Sequence, residues 1–255
     1  MFDRAQLFLA GMSIALLVQL SQPVAAAVSV GKVVQTAQTN SSDAAAKAFK
    51  EGSQLYNQGT AEAKRSAIVK LEEALKMYRA AGDRSGEANT LTWLGRIYSD
   101  LGEKQKALEY YSQSLPLLRA IGDHSREATT LNNIGLLYSD LGEQQKALEY
   151  YNHSLSLKRA IGDRSREATT LNNIGLLYSD LGEKQKALEY YNQSLSLKRA
   201  IGNRSGEAVT LNNMGTVYSD LGEQQKALEY YNHIMSGRLP IIKTPETTGT
   251  KGSSS

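Results

Sequence analysis

The sequence predicts an all-α solenoid of stacked antiparallel helix pairs, and three observations carry that expectation. Residues 131–170 return as residues 171–210 with five differences, and looser copies begin at Leu91 and Leu211. Within a copy, Leu131, Ile134, Tyr138 and Leu141 step by three or four residues, and Ala147, Leu148, Tyr151 and Leu155 do the same, so each copy holds two amphipathic helices, A and B. Each stripe ends at a glycine turn, Leu141-Gly142-Glu143 or Ala160-Ile161-Gly162. A helix pair this short cannot bury its stripe alone, so neighbouring copies must cover one another.

Composition is consistent with this and excludes several chemistries. The 255 residues carry 29 basic and 26 acidic side chains, a net charge of +3, too little for a phosphate-backbone binder, so no nucleic acid partner is expected. No cysteine is present, which removes disulfides, iron–sulfur clusters, thiolate zinc sites and cysteine nucleophiles. Three scattered histidines, His124, His153 and His233, offer no metal-ligand spacing. No cofactor, metal or catalytic residue is therefore assigned, and the chain is not expected to be an enzyme. Positions 11, 23 and 24 of the four copies hold twelve of the fourteen tyrosines, so the tyrosine excess is one pattern repeated.

Taken in order, residues 1–27 read as a cleaved export signal: Arg4, an apolar run from Leu7 to Leu20, then Pro23 and small Ala25 to Ala27. The run is short for a membrane span, so membrane attachment is expected only if this segment is retained. Export to the periplasm, the medium or a similar compartment follows. Residues 28–42 read as a flexible linker. Residues 43–90 read as a divergent first unit and N-terminal cap, with a helix from Ala44 to Tyr56, a long turn over residues 57–67, and a helix B marked by Leu71, Ala74, Leu75 and Tyr78. Regular units occupy 91–130, 131–170 and 171–210, and a truncated unit 211–235. In the first of these Pro116 should kink helix B and remove one hydrogen bond. Ser165 with Glu167 offers a cap and a first-turn negative charge for the helix A that follows. Residues 236–255 are proline-, glycine- and serine-rich and read as a disordered tail.

With Leu131 counted as repeat position 4, Ile134-Gly135 fall at positions 7 and 8, Tyr138 at 11, Ala147 at 20 and Tyr151 at 24. These residues resemble the tetratricopeptide repeat (TPR). The same places hold Leu94, Gly95, Tyr98, Ala107 and Tyr111; Ile174, Gly175, Tyr178, Ala187 and Tyr191; and Met214, Gly215, Tyr218, Ala227 and Tyr231. The resemblance implies a right-handed superhelical solenoid. The 40-residue period and the Gly-Asp-Arg-Ser junction look like the subgroup found in kinesin light chain. Position 27, alanine in the family, is serine at Ser114, Ser154 and Ser194.

In such solenoids helix A lines the concave face, leaving Asn132, Asn133 and Leu136, then Asn172, Asn173 and Leu176, then Asn212 and Asn213 toward a ligand. In the resembling subgroup an asparagine of this row contacts the backbone of bound peptides, which implies an extended peptide of a protein partner here, held by amide hydrogen bonds. Trp93 and Arg96 would close the groove in the earlier copy. Two other readings stand beside this one. The asparagines could share a recent duplication, or only bridge neighbouring helices. The array could also be a structural module that associates end to end through Tyr218, Leu221, Leu228 and Tyr231. The secreted arrangement over residues 1–235 further resembles the N-terminal arm of bacterial, particularly cyanobacterial, proteins with a caspase-like CHAT domain. The peptidase histidine and cysteine have no counterpart, so only a regulatory or binding role, as an orphaned arm, is implied.

Overall fold

The computed structural model describes residues 42–236; the expected signal at 1–27, nearly all of the linker at 28–42 and the tail beyond Ser236 lie outside the described residues. All regular structure among the described residues is helical. The helices fall into two compact units, and the chain passes from the first to the second between Ile121 and Gly122.

The first unit holds α1 (residues 42–56), α2 (Ala61–Ala81), α3 (Arg84–Asp100) and α4 (Lys104–Ala120). Buried Ala45 and Ala48 of α1 pack on Ala74 and Tyr78 of α2, with Phe49 and Met77 at the margin. Gly52 fits this crossing because a β-carbon there would stand 2.8 Å from Leu71 Cγ. The turn expected over residues 57–67 is shorter than the sequence reading supposed. Thr60 caps α2 by accepting from Ala63 N at 3.1 Å, and the alanine-rich stretch after it is helical. The three extra residues therefore lengthen helix B rather than the turn. Helix α4 runs through Pro116 to Ala120 and has the same 17 residues as its counterparts without proline.

The second unit holds α5 (His124–Asp140), α6 (Gln144–Ala160), α7 (Arg164–Asp180), α8 (Lys184–Ala200), α9 (Arg204–Asp220) and α10 (Gln224–Ser236). Helix B of one pair is buried against helix A of the next. Ala147, Tyr151 and Leu155 meet Leu171, Ile174 and Leu177; Ala187, Leu188, Tyr191 and Leu195 meet Leu211, Met214 and Val217. Within a pair, Gly135 and Gly175 allow the close approach, because a β-carbon at either would lie 2.7 Å from the Cδ1 of Tyr151 or Tyr191. The second tyrosine of each Tyr-Tyr pair fills this crossing. The first stacks at the edge on the helix A tyrosine, as Tyr150 does on Tyr138 at 5.4 Å between ring centroids. Lys146 then lies 5.1 Å over Tyr138 and is also paired with Glu143.

Two local details differ from the sequence reading. Leu141 is exposed and Leu137 is buried in its place, because α5 ends at Asp140 and the following Gly142 takes φ 76°. The cap of α7 is Asp163, which accepts from Arg166 N at 3.0 Å, while Ser165 lies inside the helix. Asp123 caps α5 and Asn203 caps α9 in the same way. The serines at position 27 are buried, and each donates to a carbonyl of the preceding helix A: Ser154 to Ala128 O and Ser194 to Ala168 O, both at 2.7 Å. Alanine could not make this bond.

Candidate protein-binding face

In the second unit α5, α7 and α9 are lateral neighbours through polar contacts. Thr170 of α7 donates to Asn132 Oδ1 of α5 at 2.8 Å, and Thr210 of α9 donates to Asn172 Oδ1 of α7 at 3.0 Å. The same two oxygens accept from Asn173 Nδ2 and Asn213 Nδ2, each at 3.4 Å. One turn along, Leu136 and Leu176 are 41% and 44% exposed. Thr216 replaces them in the last copy.

The eight residues expected on this face therefore divide. Asn133, Asn173 and Asn213 are half-buried, and Leu136, Leu176 and Asn212 are exposed. Asn132 and Asn172 are not ligand-facing as expected: each is only 8% exposed, because the next pair brings its threonine and asparagine over them. They bridge helices. Asn212 stays exposed.

The sequence reading missed the residue behind each bridge. Lys158 and Lys198 are 2% and 5% exposed, and their Nζ atoms donate to Thr170 Oγ1 at 2.6 Å and Thr210 Oγ1 at 2.7 Å. Burial pushes both ammonium groups down to about 8, with Asp163 partly opposing this at Lys158. A signal was present, since Tyr151, Leu155 and Lys158 continue one stripe and the earlier copy carries Leu118 in the lysine's place.

In the first unit Trp93 and Arg96 come together around Tyr56. The Trp93 ring stands edge-on to Phe49 and Tyr56, with centroids 6.0 and 5.4 Å away. The exposed Arg96 guanidinium lies 5.2 Å from the Tyr56 ring and 5.8 Å from Trp93. Tyr56 donates its hydroxyl to Asp100 at 2.6 Å, and burial together with that bond raises its pKa. Trp93 is thus half-committed to packing the first helix pair. Asp100 and Asp220 end their helices and are engaged across pairs, Asp100 with Lys64 at 3.8 Å and Asp220 with Lys184 at 2.6 Å.

Among the described residues no group of three or more histidine or acidic side chains is placed to hold a metal ion, and no helix is long and apolar enough to cross a membrane.

Among curated proteins none matches the sequence. Solved structures do. BtubC (BKLC) of P. vanneervenii is 18% identical over 85% of this chain and 99% of its own, with a TM-score of 0.57. A kinesin-light-chain-like protein of Podospora anserina with nearly identical TPR-like repeats is 16% identical over 76% and 94%, with a TM-score of 0.62. A Rap protein complexed with Competence and Sporulation Factor is 18% identical over 74% of this chain but only 52% of its own length, with a TM-score of 0.63. At these identities the likeness is one of fold. The family model described as tetratricopeptide repeat matches residues 65–120, 88–160, 126–200 and 166–238, which together span more than half of the chain. With the helix pairs, glycine crossings and tyrosine stacks already described, this places the chain in the tetratricopeptide repeat family.

Proposed function

We propose that the second unit binds an extended segment of a partner protein across the face formed by α5, α7 and α9. Tetratricopeptide repeats are typically protein-interaction modules, and the fold-related Rap protein was solved in complex with a factor. The observation that carries the reading is a repeated pair on one face: a half-buried asparagine, Asn133 or Asn173, one turn before an exposed leucine, Leu136 or Leu176. Magnitudes assign the roles. A net hydrogen bond contributes about 1 kcal/mol, and covering the 41% and 44% of Leu136 and Leu176 that is still exposed contributes about 1 kcal/mol each, since full burial of a leucine is worth about 1.5–3 kcal/mol. The leucines and the amides then contribute comparably, and Asn133, Asn173 and Asn213 fix the register of the main chain. Three amides alone fall well short of the roughly 8 kcal/mol that a micromolar complex needs.

Peptides selected against the protein from a random display library test this. Asn173→Ala with Asn213→Ala should weaken the selected peptides about tenfold with helicity intact, and N-methylation of the peptide main chain should do the same. Selected peptides indifferent to these changes and to Leu136→Ser with Leu176→Ser remove the reading. Export through residues 1–27 is part of the proposal. Recovery of a mature chain beginning at Val28 supports it, and recovery of Met1 removes it.

One observation favours a second reading, end-to-end self-association. Leu188 and Tyr191 of α8 are 6% and 1% exposed beneath the next helix pair, whereas their counterparts on α10 are uncovered, Leu228 at 56% and Tyr231 half-buried. A mass that stays monomeric by light scattering at high concentration removes this reading.

A further inference from the structure

The two buried lysines stand behind the asparagines of the proposed binding face. An ammonium group has three donors and no acceptor. Lys158 Nζ, 2.6 Å from Thr170 Oγ1, therefore makes that oxygen an acceptor. The hydroxyl proton of Thr170 has two acceptors in reach, Asn132 Oδ1 at 2.8 Å and Arg166 O at 3.3 Å, and the first is nearer. A positive charge beside the hydroxyl also favours the oxygen end of the Asn132 amide over its NH2 end. Asn132 Oδ1 then accepts from Asn173 Nδ2 at 3.4 Å, which leaves Asn173 its own carbonyl oxygen and a second N–H. Lys198, Thr210, Asn172 and Asn213 repeat the relay at 2.7, 3.0 and 3.4 Å.

We propose that Lys158 and Lys198 are positioning residues that set the donor and acceptor direction of the asparagines on the binding face. The first unit supports this by covariation inside one copy. Where Leu118 replaces the lysine, Thr92 replaces the bridging asparagine, so both are missing together in that copy. Thr92 instead donates to Ala88 O at 3.0 Å within its own helix. Thr130, the threonine of the α5 copy, has a buried hydroxyl without a hydrogen-bond partner. The relay is not needed for packing alone, since Leu118 is fully buried at the same helical position.

Both lysines titrate near pH 8, so the relay has a readout. Asp163 and Arg166 are the charged groups that act on Lys158, and the Arg159–Glu167 pair lies beside it. Around Lys198 these places hold Asn203 and Gly206, with the Arg199–Glu207 pair beside them and Arg204 on Glu207.

The consequence for binding rests on the peptide reading above, but the amide direction does not, and the experiment separates them. Carbon-detected NMR of the full chain from pH 6 to 10 follows the lysine Cε and asparagine Cγ signals. Asn132 and Asn172 Cγ should shift with the midpoints of Lys158 and Lys198. In Lys158→Met with Lys198→Met these shifts should vanish while Asn212, which the relay does not reach, is unchanged. Asparagine signals that stay flat through the wild-type lysine titration overturn the proposal, as do shifts that persist in the double variant. The wild-type titration decides the matter even if the double variant fails to fold. With a selected peptide in hand, the double variant should bind about threefold to tenfold more weakly and lose any change in affinity between pH 7 and 9. Peptides that bind both proteins equally across this range count against the relay, whereas failure to select any peptide counts against the binding reading alone.

Discussion

The first unit fills its A-helix face with aromatic packing, and the second fills the same repeat positions with amides. Trp93 stands between Phe49 and Tyr56 where Asn133, Asn173 and Asn213 stand later, and buried Leu118 stands where Lys158 and Lys198 stand. Both units share the same crossings, Gly95 on Tyr111 in one and Gly175 on Tyr191 in the other, where a β-carbon on either glycine would lie 2.7 Å from ring Cδ1. The lesson is that the scaffold and the face are separable. Glycine and tyrosine make the pair, while the residues around positions 5, 6 and 31 decide whether the outer surface is sealed or left able to form hydrogen bonds.

The largest effect should be equal in both units: Gly95→Ala and Gly175→Ala each force a methyl group against a fully buried tyrosine and should cost about 3 kcal/mol. Trp93 is the sole tryptophan, so its fluorescence reads the first unit and circular dichroism reads both. Loss of the fluorescence transition in the first variant but not in the second would show the units melting separately. Trp93→Asn, which installs the second unit's residue in the first, should cost about 2–3 kcal/mol by chemical denaturation, below a full tryptophan deletion because the ring is half-buried. A neutral result would mean that the aromatic cluster contributes little.

Lys198→Met, which moves the second unit toward the first, should instead stabilise by about 2 kcal/mol at pH 7. Its sign follows from linkage. The folded-state pKa of about 8 lies below the ordinary 10.5, so the unfolded chain holds more protons between these values and wild-type stability rises with pH from about 8. The window to examine closes near pH 10, where the raised pKa values of Tyr151 and Tyr191 begin to act in the opposite direction. Urea midpoints that are flat from pH 8 to 10 would show that the lysine is not buried as a cation. The smallest effect, about 1 kcal/mol, is expected for Ser154→Ala, which restores the family's residue but removes the bond to Ala128 O. Stabilisation by this change would show that the serine is tolerated rather than used.

Much of the fold was legible because both helices of a copy carry their own period. Errors were confined to helix ends, where Asp163 rather than Ser165 caps α7 and Leu137 rather than Leu141 completes the stripe of α5. Such ends depend on which backbone groups remain unpaired. The candidate face was only half legible. Asn173, Leu136 and Leu176 lie where the repeat pattern put them, but Asn132 and Asn172 are covered by the next copy, and nothing in one copy's sequence shows what its neighbour lays upon it.

By itself the sequence determined the helix pairs, their order and their glycine turns, because hydrophobic period and turn chemistry are local properties of the chain. Only the tertiary structure decided that two lysines are buried, that two asparagines bridge rather than face outward, and that Asn173 and Asn213 are oriented from behind. Those outcomes depend on solvent exclusion and donor geometry between helices nearly forty residues apart in sequence, as Thr170 and Asn132 are.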